Sequence, residues 1–185
     1  LCAILPFSIS GLANIYYSEK AFSYDSGMGL LENVKVENVQ YGIFASSSNV
    51  DIKNSSFNLL SERLAYAYSS SSLSITNSNI TNVEDGIVLS GNCHLVLNNS
   101  SIDMLNARLG RVLSLFENSK AELNNLSIKN AHDVVSSFGG SDLIFTNSSV
   151  DNISERVLII FENSKAELNN LTIKNVADVA YIFSD

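Results

Sequence analysis

An asparagine returns seven times along this chain, at Asn33, Asn54, Asn77, Asn99, Asn125, Asn147 and Asn170, at intervals of 21 to 26 residues. Each return sits in the same apolar frame. Two residues before it stands Leu31, Ile52, Ile75, Leu97, Leu123, Phe145 or Leu168. Three residues after it stands Val36, Phe57, Ile80, Ile102, Ile128, Val150 or Ile173. A sustained period of this length marks a stacked repeat, in which each unit buries its apolar side against the next.

The stretch 73–93 shows what one repeat contains. Leu73, Ile75 and Asn77 alternate with Ser74 and Thr76, the period of a strand with one face buried. Asn79-Ile80-Thr81 forms a second short strand, Asn82 to Asp85 turns the chain, and Gly86 to Leu89 forms a third. Ser90-Gly91-Asn92 is turn chemistry that brings the chain back to its starting edge. The Asn, Ser and β-branched content opposes helix, and the helical segments of a leucine-rich repeat are missing. The expected fold is all-β, a right-handed single-stranded parallel β-helix of about seven coils, roughly 30–35 Å long at about 4.8 Å per coil.

The seven asparagines are expected to stack as a ladder inside a turn, each carboxamide donating to one neighbour and accepting from the other. A second column, Asn38, Asn82, Asn130, Asn152 and Asn175, lies five residues later and is interrupted by Leu59 and Met104. A recent duplication overlies the coil period. The segment from Phe116 to Leu126 recurs unchanged from Phe161 to Leu171, and Ser55 to Leu64 resembles Ser148 to Val157. Such repetition suits a scaffold that grows by adding coils.

The net charge of -8 argues against nucleic acid, which needs clustered Lys and Arg, and against attraction to anionic lipid. Residues 1–13 read as a signal-peptide remnant with a small-x-small site at Gly11 and Ala13. They are too short to span a bilayer, so no stable membrane insertion by this segment is expected. Removal of that stretch takes Cys2 and leaves Cys93 without a disulfide partner. Residues 14–28 read as an N-terminal cap, and 29–185 as the β-helix, possibly truncated at its C-terminal end.

Stacked coils, an Asn column, abundant Ser and a signal-like start resemble the pectin-lyase-like superfamily and, within it, passenger domains of bacterial autotransporters of type V secretion. The resemblance covers about residues 29–185. It implies a secreted or surface-displayed protein, anchored at the outer membrane if a C-terminal barrel follows. It also implies an adhesin or host-interacting virulence factor that contacts a host-cell surface protein or glycan, or associates with itself.

The alternative is a polysaccharide lyase or hydrolase, which shares the fold, so catalysis has to be judged on residues. The histidines are His94 and His132, and Ala177 replaces His132 in the duplicated segment. Asp133 has no second carboxylate nearby at the spacing a hydrolase needs. Cys93 has no evident partner and reads as a structural thiol. The expectation is therefore no catalytic residue, no metal, no cofactor and no enzymatic activity. Eight residues after the ladder asparagine come Tyr41, Glu62, Asp85, Asp133, Glu155 and Asp178, which in constant phase make an acidic stripe along one edge. The long coil 95–120 carries extra residues around Arg108 and Arg111, expected as a projecting loop. These arginines and the stripe, Glu62, Asp85, Asp133, Glu155 and Asp178, are the candidate partner contacts.

Overall fold

The structure is a computed structural model that describes residues 2–3, 7–105 and 110–183. These residues form one sheet of sixteen strands in which every pairing is parallel. The chain winds as a three-sided solenoid. Its first face carries residues 28–32, 49–53, 72–76, 94–98, 120–124, 142–146 and 165–169 in register. The second face follows each asparagine, for example 56–58 beside 79–81 beside 101–103. The third face stacks 41–46, 63–68, 85–90, 111–115, 133–137 and 156–160. In three coils the turns are tight enough for strand to run unbroken around the prism, in Met28–Ser46, Asp142–Ile160 and Lys165–Ile182.

The described residues make eight coils where about seven were expected, because residues 7–25 form one of their own. Phe7–Tyr16 crosses the expected leader boundary at Ala13 and pairs in parallel with residues 29–37. Lys20–Asp25, inside the expected cap, pairs with residues 41–46. Gly29 admits this coil's Tyr24: a Cβ there would lie 2.4 Å from the phenol ring.

The apolar frame is the core. Leu31, Ile52, Ile75, Leu97, Leu123 and Phe145 form one buried column, and Val36, Phe57, Ile80, Ile102, Ile128 and Val150 another. The asparagines differ from expectation. All seven lie on the surface, and each has a left-handed backbone, with φ between 50° and 58°. The first and second faces meet through this single left-handed residue. Asn tolerates that conformation better than other side chains carrying a Cβ. The second column has the same cause: Asn38, Asn82, Asn130, Asn152, Asn175 and Leu59 all have positive φ. Carboxamide bonds between coils are present but intermittent, from Asn77 to Asn54 (3.3 Å), Asn125 to Asn99 (2.7 Å) and Asn170 to Asn147 (2.9 Å).

Serine supplies the buried ladders. One step after the asparagine, the backbone N–H of Val34 donates to Ser55 Oγ, Ser55 to Ser78, Ser78 to Ser100, and Leu126 to Ser148, at 2.9–3.2 Å. At another corner Gly27 donates to Ser48, Ser48 to Ser71, Cys93 to Ser119, Ser119 to Ser141, and Ser141 to Ser164, at 3.0–3.2 Å. Each buried hydroxyl thereby ties one coil to the next where the backbone turns away from the sheet ladder.

Candidate functional site

The third face gathers the charged and aromatic side chains. Its register differs from the expected acidic stripe by one residue. Coils carrying Arg63 and Arg156 hold one extra residue just before this face, and the pairing shifts between Leu60 and Arg63 and between Ile153 and Arg156. The bulge moves Glu62 and Glu155 out of the column and brings the arginines in. The column therefore reads Lys20, Tyr41, Arg63, Asp85, Arg111, Asp133, Arg156, Asp178. It alternates in sign from Arg63 onward. Glu62 and Asp178 are exposed, and Arg108 lies outside the described residues. Arg111 begins the strand Arg111–Leu115, so it belongs to this face and not to a projecting loop.

Alternation converts repulsion into pairing. Arg63 donates through Nε (3.1 Å) and Nη2 (2.8 Å) to Asp85 Oδ2, while the other oxygen of Asp85 accepts the Arg111 backbone N–H at 3.2 Å. Arg111 Nε lies 3.5 Å from Asp133 Oδ2, and Asp133 Oδ1 accepts the Arg156 N–H at 3.1 Å. The Asp133 side chain is only 3% exposed. The imidazole Nδ1 of His132, 3.4 Å away, makes no hydrogen bond. Two guanidinium groups and an amide thus surround this buried carboxylate. Glu155 stays at the rim, 3.4 Å from Arg156 Nη2.

Aromatic rings flank this column. Tyr41, Phe44, Tyr66 and Tyr68 form a run with centroids 5.0, 5.8 and 5.5 Å apart. Lys20 lies 4.3 Å from the Phe44 centroid, and Arg63 lies 5.8 Å from that of Tyr66. Along the adjoining turn Phe116, Phe138, Phe161 and Phe183 stack at 5.3, 5.2 and 5.3 Å. Sequence reasoning missed these rings as a group. Their signal was the alternation of Tyr66, Ala67 and Tyr68, which puts both rings on the outer side of a strand.

His94 stands apart from this face, 3.6 Å from Glu122. Cys93 is buried, and burial pushes its thiol pKa up, as expected of a structural residue. Among the described residues no three His, Cys, Asp or Glu side chains converge as metal ligands would.

The solved structures that resemble this chain are catalytic domains. One is the catalytic domain of a GH87 α-1,3-glucanase in complex with nigerose, with a TM-score of 0.62 and 10% sequence identity, over 93% of this chain and 46% of that one. Another is a point variant of a GH87 α-1,3-glucanase catalytic domain, also with nigerose, with a TM-score of 0.56 and 9% identity over the same shares. This chain thus spans about half the length of the structures it matches, and at such identity the likeness is one of fold. No curated protein matches by sequence. The expectation of a non-catalytic adhesin is overturned by these findings: the coils superpose on catalytic domains of polysaccharide-degrading enzymes. A family model for the right-handed β-helix region matches residues 13–119, well over half of the chain; with the parallel coils described above, the chain belongs to the right-handed β-helix family, on a pectin-lyase-like fold.

Proposed function

We propose that this chain is the β-helical part of a polysaccharide-cleaving glycoside hydrolase, with substrate lying along the third face. The observation that carries the reading is the juxtaposition there of paired carboxylates with a run of aromatic rings. Rings of this kind offer apolar faces to sugars, and the carboxylates offer charge to an oxocarbenium-like transition state. Asp85 and Asp133 stand two coils apart, roughly 9.6 Å along the stack. That is close to the ~6.5–9.5 Å separation that leaves room for a water in inverting hydrolysis. Asp133, held in place by Arg111 and Arg156, is assigned the activation of that water. Asp85 faces solvent more openly, at 28% side-chain exposure, and is assigned the protonation of the departing glycosidic oxygen on the opposite side of the scissile bond. The partner is a glycan, and the place of action is outside the cell or at the bacterial surface, where such polymers lie.

The protein should release reducing ends from α-1,3-glucan, and Asp133→Asn and Asp85→Asn should each abolish release while the β-rich circular dichroism persists. Polygalacturonate with and without calcium serves as the comparison, since a lyase would give unsaturated products there. Absence of product from every glycan, or full activity in both variants, would sink the proposal.

A further inference from the structure

The edge of the prism opposite the third face carries a second feature that the proposed hydrolysis does not use. Where the first and second faces meet, the left-handed turns fold the surface inward and leave a continuous groove of about 1160 Å³. It runs past all seven asparagines, from Asn33 to Asn170, with Ser56, Asn79, Ser101, Ser127 and Ser149 along its second-face wall. The chain has 30 charged side chains, 11 basic and 19 acidic, yet among the described residues Lys35 alone of them lines the groove. Its ammonium is already held by Glu37 at 3.0 Å. The groove is therefore nearly uncharged, and its side chains are mostly carboxamides and hydroxyls, on a strongly acidic protein.

Its hydrogen-bonding groups are incompletely used. The carboxamides pair as Asn54 with Asn77, Asn99 with Asn125, and Asn147 with Asn170, but no bond joins Asn77 to Asn99. Asn147 turns its amide to Asn124 at 2.9 Å instead of to Asn125. Among the described residues this leaves the whole amide group unused on Asn54 and Asn99, and the whole carboxamide oxygen unused on Asn77 and Asn125. Over these four coils unused amides and unused oxygens alternate, with a repeat of two coils, roughly 9.6 Å. The walls are firm, because the buried serine ladder lies directly beneath the asparagines. We propose that this groove binds a neutral polysaccharide in an extended, two-fold conformation, with hydroxyls of successive sugars meeting the alternating donors and acceptors. A polyanion finds only Lys35 here, already paired with Glu37, and apart from Lys35, Val34 and Leu126 the lining side chains are carboxamides and hydroxyls. This track goes beyond the proposed hydrolysis and does not depend on it.

The test is a titration of the ¹⁵N-labelled full chain with neutral gluco-oligosaccharides and, separately, with oligogalacturonates of equal length, following the Asn side-chain amides. Saturable shifts at Asn77, Asn99 and Asn125 with the neutral sugars only are expected. The double variant Ser101→Glu, Ser127→Glu should weaken that binding about tenfold or more, since sugar hydroxyls would then have to desolvate new charges. Asp133→Asn should leave the groove shifts intact while removing cleavage, so failure of either proposal is distinguishable from failure of the other. Shifts confined to the third face, equal response to the oligogalacturonates, or response only to an extended polar peptide would overturn the assignment.

Discussion

Cys93 interrupts a column that is otherwise serine, and replacing it tests whether those hydroxyls bind the coils together. The column runs Ser48, Ser71, Cys93, Ser119, Ser141, Ser164, all at most 9% exposed. Each serine Oγ accepts the N–H of the preceding coil, at 3.0–3.2 Å, whereas the Ser71 N–H meets the Cys93 sulfur, a weaker acceptor than a hydroxyl. The sulfur itself donates back to Ser90 O at 3.2 Å, much as Ser71 Oγ donates to Tyr68 O at 2.7 Å. In Cys93→Ser the hydroxyl keeps that donation and offers the Ser71 N–H a stronger acceptor. A full buried hydrogen bond contributes about 0.5–1.5 kcal/mol, so the exchange gains at most that, and the loss of a larger, more apolar sulfur offsets part of it. In Cys93→Ala the Ser71 N–H faces a methyl group, and a buried unsatisfied donor costs about 1–3 kcal/mol. The expected order of stability is Ser, Cys, Ala, with about 2 kcal/mol between the ends. For a chain of 185 residues that is about 4–8 °C in melting temperature. Urea and thermal melts followed by circular dichroism read this directly. A serine variant no more stable than the alanine variant would show that coil-to-coil hydroxyl bonds contribute nothing here.

Further expectations follow from other corners of the solenoid. Asn125, exposed with φ 53°, should tolerate Asn125→Gly almost unchanged, while Asn125→Ala should cost about 1–2 kcal/mol in a melt; equal costs would mean that backbone handedness does not select Asn. Asn124 accepts from Thr146 and Asn147, both half-exposed or exposed, so Asn124→Ala should cost less than Asn125→Ala. Tyr24 is buried with its hydroxyl unpartnered, and burial pushes its pKa to about 12. The unfolded chain loses this proton near its ordinary value of 10, so stability should be intact below that pH and fall as pH rises through about 12. Tyr24→Phe should remove that alkaline loss and hold or raise stability near neutral pH; an unchanged alkaline profile would refute the assignment. Gly86 has no room for a side chain, since a Cβ would lie 2.1 Å from Val112 O, so Gly86→Ala should destabilise by about 1–3 kcal/mol, and a wild-type melting temperature would contradict that packing.

Periodicity alone determined the architecture. A constant phase between Asn and its apolar neighbours leaves a coil no choice about which side chains enter the core, because strands alternate strictly and coils must stack in register. The columns Leu31 to Phe145 and Val36 to Val150 were legible for that reason. Tertiary structure decided what the polar residues do. One inserted residue before Arg63 and another before Arg156 turned an acidic stripe into alternating ion pairs, and a linear count of eight residues is blind to a bulge. Asn was read as a turn residue that stacks, but only the positive φ and the exposed side chains showed that it serves the backbone first and the ladder second. The buried serines escaped notice because Ser reads as an ordinary turn residue until its hydroxyl is seen facing the amide of the coil beside it. Phase had already put Asp85 and Asp133 in one column, but only the stacked coils set Arg111 between them, because its place depends on the length of the turn before it.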